Sequence, residues 1–384
     1  MNSPSFLGLF KDFLRLGITA FGGPAMIAHI KEMAVLRRKW LNESDFKDGI
    51  ILCQAIPGAT AMQMAAYVGL RVKGFSGALL SFAGFALPAF VLMLGLSILY
   101  EHSHELPRIV ALFAGLQVIV VAIMSNATYY FGKNIIKNLK NVLIAACSYV
   151  LLFYNVSPFL IIIVAGLSGV LLFRGTDTFE PAHFTRRKDR KYLKLIALSL
   201  SLIAAGVAGL YFVDPELCTL ALLMFKIDLF AFGGGFSSIP LMLHEIVDVW
   251  GWMDSKTFMD GIALGQVTPG PIVITSTFVG YLLYGLPGAI VATLAIFTPS
   301  FMLVLAMTPV FDKLKASAYF AGATKGILAS FVGLLFFVSV KFALDVQWDV
   351  PRMLIGLAAF TALFRKVDVI YVVLIGSIIS VIIF

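Results

Sequence analysis

Charge is what this sequence has least of. Asp, Glu, Lys and Arg make up 13% of its 384 residues and hydrophobic residues 60%, where soluble domains carry roughly 25% charged residues. A chain this long needs a polar shell to stay in water, and 29 basic and 21 acidic residues do not supply one. That excludes a soluble enzyme, and a mean hydropathy of +0.95 excludes a disordered chain. Cysteine is scarce as well. Cys53, Cys147 and Cys218 sit in apolar contexts at no metal-like spacing, so they exclude a disulfide scaffold and read as small packing residues. There is no HExxH, no Gly-rich phosphate loop followed by Lys and no repeated Ser/His/Asp set, which argues against a membrane-embedded enzyme. His29 and Glu32 have helical i,i+3 spacing, but two ligands are too few for a metal, so neither metal nor cofactor is expected. No soluble domain and no nucleic-acid patch is evident.

What is present is long apolar runs. Those that look like full spans are 75–100, 109–131, 141–155, 158–173, 192–213, 286–311, 318–340, 351–364 and 367–384. Runs of about 20 apolar residues indicate helices rather than a β-barrel. The expected class is therefore an all-α polytopic integral membrane protein with the lipid bilayer as its solvent. The first residues hold Lys11, Asp12 and Arg15 inside their apolar stretch and lack a clean cleavage site. We read them as mature structure rather than a removed signal.

The chain also repeats itself at a distance of 211–212 residues. Phe21-Gly22-Gly23 recurs as Phe232-Gly233-Gly234, and Trp40 as Trp252. The stretch from Asp48 to Gly58 recurs from Asp260 to Gly270 with seven identities in eleven positions. Val68-Gly69, Gly74-x-x-Gly77-Ala78 and Pro88-x-Phe90 recur in order as Val279-Gly280, Gly285-x-x-Gly288-Ala289 and Pro299-x-Phe301. The organisation expected is an N-terminal repeat, 1–173; a basic cytoplasmic linker, 174–191, suited to anionic lipid; a connecting transmembrane helix, 192–213; and a C-terminal repeat, 214–384.

Lys and Arg in short loops set orientation. Residues 174–194 carry seven and are placed inside; 31–47 carry five, whereas the equivalent 243–258 has Lys256 alone beside Glu245, Asp248 and Asp254. Two copies with opposite charge bias face opposite sides of the bilayer. Inverted-topology repeats of this kind are a plan of alternating-access transporters.

Each repeat then interrupts its own helices. The first break is at Phe21-Gly22-Gly23-Pro24 and Phe232-Gly233-Gly234-Gly235; the second is at Gln54 to Gly58 and Gln266 to Gly270. Broken backbone at membrane depth is tolerated only where protein or a water-filled cavity covers it. With 31–47 and 71–73 on one side, Pro57-Gly58 tips a re-entrant hairpin. A helix that restarts presents free N–H groups and a positive dipole end, which suits an anion. The candidate substrate-binding residues are Gly22, Gly23, Gln54, Pro57, Gly58, Thr60, Gly233, Gly234, Gln266, Thr268, Pro269 and Gly270; Thr275 and Ser276 are further neutral donors. Charged groups near these segments are functional candidates, and Glu32, Asp48, Glu245 and Asp260 are candidates for coupling or gating. Asp48 and Asp260 also suit helix caps at the interface, while Lys11 with Asp12 and Lys226 with Asp228 are expected to neutralise one another locally.

FGGP (21–24), QAIPGA (54–59), FGGG (232–235) and GQVTPGP (265–271) together resemble the chromate transporter family in its two-domain, fused form. The resemblance covers nearly the whole chain. It implies a multi-pass protein of the bacterial plasma membrane that exports chromate and confers resistance, with a small oxyanion as its partner; some relatives are linked to sulfate. The halves differ at Pro24/Gly235 and Ala59/Pro271. Chromate is a tetrahedral dianion, and leaving a cytoplasm 100 mV negative is worth about 4.6 kcal/mol to it, so export needs no coupled ion whereas uptake does. A carrier or channel for sulfate or another small anion is the alternative reading. Nothing in the sequence demands a homodimer or forbids one.

Overall fold

A computed structural model describes residues 4–21, 23–104, 106–173, 190–311 and 317–384. Among them there are helices and no strands. The first repeat contains α1 (Phe6–Thr19), α2 (Gly23–Lys31), α3 (Glu43–Ala55), α4 (Thr60–Ser103), α5 (Pro107–Ile135), α6 (Leu139–Phe153) and α7 (Pro158–Leu172). Helix α8 (Arg190–Val213) connects to the second, which contains α9 (Pro215–Phe230), α10 (Ser238–Met242), α11 (Ser255–Val267), α12 (Thr275–Met307), α13 (Ala318–Asp345), α14 (Val350–Phe364) and α15 (Val369–Ile383). Shifting α6 and α7 by 211 residues reproduces α14 and α15 to the residue. Caps are repeated too: Asn42 and Asp254 open α3 and α11, and Asn138 and Asp349 open α6 and α14, each accepting a first-turn amide. A π-helical turn occurs at Glu32–Arg37 and at Leu243–Val249, where the repeat offset grows from 211 to 212. Five stretches are long and apolar enough to span a bilayer: α4, α5, Ile196–Val213, Ile272–Met307 and α13. The linker 174–189 lies outside the described residues, as do Lys313 and Lys315.

The expected spans 75–100 and 286–311 turn out to be second limbs of longer elements. Helix α4 turns sharply at Lys73-Gly74, and α12 at Tyr284-Gly285, with φ of 66° and 59° at the two glycines. A left-handed residue costs a side chain roughly 1–2 kcal/mol, which is why glycine stands at both. Each turn folds its limbs against one another: Ser81 donates to Ala65 O at 2.7 Å, and Thr277 and Thr293 share a 2.7 Å hydrogen bond.

The chain forms two compact units. The first draws on Met1–Leu94, Thr178–Gly235 and Pro269–Ser317, so it takes residues from both repeats. Its core brings together Phe75 and Phe82 with Phe297 and Phe301, Phe75–Phe301 at 6.0 Å and Phe82–Phe297 at 6.1 Å. Numbers rise along one limb as they fall along the other, so two limbs that correspond in sequence pack antiparallel. The repeats are inverted. The same unit shows the re-entrant hairpin: Arg71 reaches Asp45 at 2.6 Å and the Tyr67 hydroxyl donates to Asp45 O at 3.0 Å. Helix α3 therefore starts beside the end of the limb 60–72, with Pro57-Gly58 at the far tip.

The second unit draws on Gly95–Asp177, Phe236–Thr268 and Ala318–Phe384. Here each long helix packs on the other repeat's short pair, α5 on α14 and α15, and α13 on α6 and α7. A Cβ on Gly326 would lie 2.1 Å from Ala165 O, and one on Gly115 would lie 2.3 Å from Ser380 Oγ. Gly115 and Gly326 are 211 apart, so one close helix crossing is built twice from small residues. Thr128 and Ser339, also 211 apart, hydrogen-bond to each other at 3.0 Å.

Three local expectations are corrected. Asp48 and Asp260 lie in the middle of α3 and α11, whose caps are Asn42 and Asp254. Asp12 pairs with Arg38 at 2.7 Å rather than with Lys11. Asp228 is held by Ser300, as described below. Of the cysteines, Cys53 and Cys218 are buried and Cys147 is exposed.

Candidate functional site

The first unit gathers residues 20–21, 56–59, 231–234 and the Pro269-Gly270 turn, so segments of all four breaks lie in one body. They are stitched together by their own backbone. The Gly58 amide donates to Ala231 O at 2.8 Å, and the Gly270 amide donates to Ala20 O at 3.1 Å. These are one contact made twice, since Gly270 corresponds to Gly58 and Ala231 to Ala20. Gly58 and Gly270 have φ of 118° and 109°, which only glycine adopts without strain. Both amides are therefore occupied, although the sequence suggested them as free donors.

Other amides at the breaks are differently placed. Gly233 and Gly234 have φ of 92° and 105° and, among the described residues, their N–H groups make no hydrogen bond. Gly233 is exposed and Gly234 half-buried. A Cβ on Gly234 would meet only Thr60 Oγ1, at 3.5 Å. Thr60 is the first residue of α4, so Gly234 lies beside a helix N-terminus and a hydroxyl, both donors to an anion.

The break at 56–59 carries a third arrangement. Ser300 N and Oγ donate to Asp228 Oδ2 at 2.9 and 2.7 Å; the Ala59 amide donates to Ser300 Oγ at 2.9 Å. Gln63 Nε2 donates to Pro57 O at 2.5 Å. Asp228, Ser300 and Gln63 are each 0% exposed. None was singled out as a site residue from the sequence. The signal available was divergence between repeats: 211 residues before Asp228 and Ser300 stand Gly17 and Ala89.

The remaining candidates are dispersed. Gly22 lies outside the described residues, and Gly23 starts α2. Pro57 and Pro269 are buried; Gln54 is exposed on the last turn of α3. In the second unit, Gln266 is half-buried with Nε2 unpartnered, and Thr268 donates to Gly265 O at 3.0 Å. Buried Thr275 donates to Ile272 O at 2.9 Å, and buried Ser276 Oγ has no partner. Glu32 is half-buried and paired with Arg37 at 2.6 Å; Asp48 is half-buried too, and Glu245 is buried. Asp260 is 6% exposed and accepts from Tyr100 at 3.0 Å and Gln117 at 2.8 Å. It lines a cavity of about 300 Å³ with His104, Lys256 and Arg352. No cluster of three His, Cys, Asp or Glu fit for a metal occurs among the described residues.

With this geometry in view, comparison with known proteins is decisive. The chromate transporter family profile matches residues 7–170 and again 218–381. The chain belongs to the chromate transporter family. It is a transport family, not one of enzymes, and two matches in tandem are the two repeats. An uncharacterized transporter of Methanocaldococcus jannaschii is 45% identical, the alignment covering 99% of this chain and 94% of that one. A chromate transport protein of Pseudomonas aeruginosa is 30% identical over 93% of this chain and 86% of its own. An uncharacterized transporter of Bacillus subtilis is 31% identical and aligns 95% of its length to 48% of this chain, as a single-repeat protein would. No solved structure matches the chain.

Proposed function

We propose that this transporter of the chromate family exports chromate across the plasma membrane, using the broken helices of its first unit as an alternating-access site for one small oxyanion. The observation that carries the reading is that the break holding the unbonded amides of Gly233 and Gly234 comes, at Gly234, beside Thr60 at the start of α4. Backbone donors and a helix N-terminus match a tetrahedral dianion without adding a fixed positive charge that would hold it too tightly. The paired backbone bonds Gly58–Ala231 and Gly270–Ala20 fit a gate, since each joins a break of one repeat to a break of the other. Asp260, tied to Tyr100 and Gln117, suits gating better than anion binding, because a carboxylate repels the substrate. A membrane potential of 100 mV, negative inside, is worth roughly 2.3 kcal/mol per charge, so a dianion leaves downhill by about 4.6 kcal/mol.

Sulfate shares the shape and charge of chromate, and pockets separate near-isosteres poorly. Uptake of labelled chromate into proteoliposomes, competed by sulfate and by nitrate, tests the reading. Chromate saturation with weaker competition by sulfate is expected, and Gly234→Leu should abolish it in folded protein. Saturable sulfate uptake that chromate does not inhibit would assign the site to sulfate. Undiminished uptake in Gly234→Leu would remove the glycine amides from the mechanism.

A further inference from the structure

We propose that Asp228 is a proton-exchanging site of the transport cycle, taking up and releasing a proton beside the Pro57-Gly58 break. The inference rests on the oxyanion-transport reading and adds the ion that moves with the anion. Three side chains converge on Gly58: a Cβ there would lie 2.2 Å from Ser300 Oγ, 2.7 Å from Gln63 Nε2 and 3.2 Å from Asp228 Oδ2. The donors in this group are committed. Ser300 N and Oγ serve Asp228 Oδ2, the Ala59 amide serves Ser300 Oγ, Gln63 Nε2 serves Pro57 O, and the Gly58 amide serves Ala231 O. Two buried acceptors are left with no partner, Asp228 Oδ1 and Gln63 Oε1. What the cluster lacks is hydrogen.

A proton on Oδ1 turns one orphan acceptor into a donor and removes a full negative charge from a site that water does not reach. A buried polar atom without a partner is costly and a buried unpaired charge more so. The step is the simplest available: an O–H bond forms on Oδ1 when the proton arrives and breaks when it leaves. No other bond changes.

The neighbouring ionisable groups are engaged elsewhere or turned away. On α12, which packs against α9, they are Tyr281 and Tyr284, and Tyr284 lies close to Glu216. On the first limb of α4, Tyr67 and Arg71 are bound to Asp45, and Lys73 lies over the Phe6 ring at 5.2 Å. On α8 the described side chain is Tyr211, well exposed. On α9 itself Glu216 is three turns away, and Lys226 is two residues along and so on another face of the helix. The other repeat offers no second copy of the site: its counterparts are Gly17 and Ala89, and a Cβ on Gly270 would meet only Ala89 Cβ.

The test uses the full chain in liposomes loaded with a pH-sensitive dye, with chromate flux and lumenal pH followed together. Proton movement in fixed proportion to chromate is expected in the unaltered protein. In Asp228→Asn the proton-to-chromate ratio should fall at least tenfold, whatever flux remains. The unaltered protein supplies a second measurement that no variant's folding can spoil. A hydrophobic carbodiimide, which attacks protonated carboxyl groups in apolar surroundings, should modify Asp228 at acid pH and progressively less as pH rises. Peptide mass mapping separates that label from Asp260. Chromate flux without proton movement, an unchanged ratio in Asp228→Asn, absence of label at Asp228, or a requirement for sodium or potassium in place of protons would each overturn the proposal. If no chromate moves under any condition, the transport reading falls first, and that outcome is distinct from the others.

Discussion

Alanine at Gly58 and alanine at Gly270 should differ sharply in cost, although the two glycines are repeat equivalents with φ within 10° of each other. Both substitutions impose a backbone conformation that a side chain resists, at about 1–3 kcal/mol. At Gly270 the added methyl meets Ala89 Cβ at 2.9 Å and nothing else within 4 Å, an overlap that a shift of the backbone relieves without breaking a hydrogen bond. At Gly58 it overlaps Ser300 Oγ at 2.2 Å. Ser300 must rotate away, which strips Asp228 Oδ2 of one donor and the Ala59 amide of its acceptor, both buried. Asp228 Oδ2 keeps the Ser300 amide as a donor, so the one orphaned group is the Ala59 amide, at about 1–3 kcal/mol. Gly58→Ala should therefore be less stable than Gly270→Ala by roughly 1–3 kcal/mol, a sizeable share of the ~5–15 kcal/mol that holds a typical protein together. Thermal unfolding in detergent, followed by loss of the monodisperse chromatographic peak, reads the difference. Ser300→Gly on top of Gly58→Ala should recover part of the loss, because the overlap is gone. Equal midpoints for the two single variants, or no recovery in the double, would refute the packing account of the break.

Three further expectations follow from the same geometry. Cysteines replacing Asp45 and Arg71 should cross-link with a short bifunctional reagent, because the hairpin brings its two ends together; absence of cross-linking in folded protein would make Pro57-Gly58 a crossing rather than a tip. Cysteines at Asn42 and Asp254 should label from opposite sides of the membrane with an impermeant maleimide, as the loop charges require of inverted copies; labelling from one side would undo the inversion. Tyr100→Phe removes one hydrogen bond to buried Asp260 and should lower stability by about 1.5–3 kcal/mol, read as a lower unfolding midpoint; an unchanged midpoint would mean that the bond contributes nothing.

Much of this architecture was legible because the physics acts along the chain. Apolar length marks spans, glycine and proline mark breaks, and loop cations mark sides; the 211-residue offset that aligns α6 with α14 is visible in the motifs alone. What could not be read is what the tertiary fold decides. The amides of Gly58 and Gly270 looked free because a broken helix frees its donors, yet each is captured by a carbonyl about 170 or 250 residues away. Asp48 and Asp260 looked like caps because charges inside apolar helices are costly. The fold buries Asp260 and meets that cost with Tyr100 and Gln117, partners more than 140 residues distant. Gln54 and Gln266 stood out by repetition, but repetition marks common ancestry, which a scaffold preserves as readily as a site.

The more informative positions are those where the copies disagree. Inversion alone would make both ends of the pathway chemically alike. The backbone obeys that symmetry, with paired glycines, paired amide bonds and paired helix turns, whereas the buried polar side chains do not. Asp228 and Ser300 face the 56–59 break, while Gly17 and Ala89 hold the matching places beside Gly270. Gln63 falls where the second copy is one residue shorter, the offset dropping from 212 at Gly58 to 211 at Val68. Two equal backbones supply two exchangeable conformations at similar energy. A titratable group at one break only makes those conformations unequal in charge, and a ligand shifts an equilibrium only by the difference in its affinity for the two states. Restoring the symmetry should then remove the bias: Asp228→Gly with Ser300→Ala converts the polar break to the apolar one, and chromate flux in that variant should lose its dependence on a pH gradient while the folded protein persists.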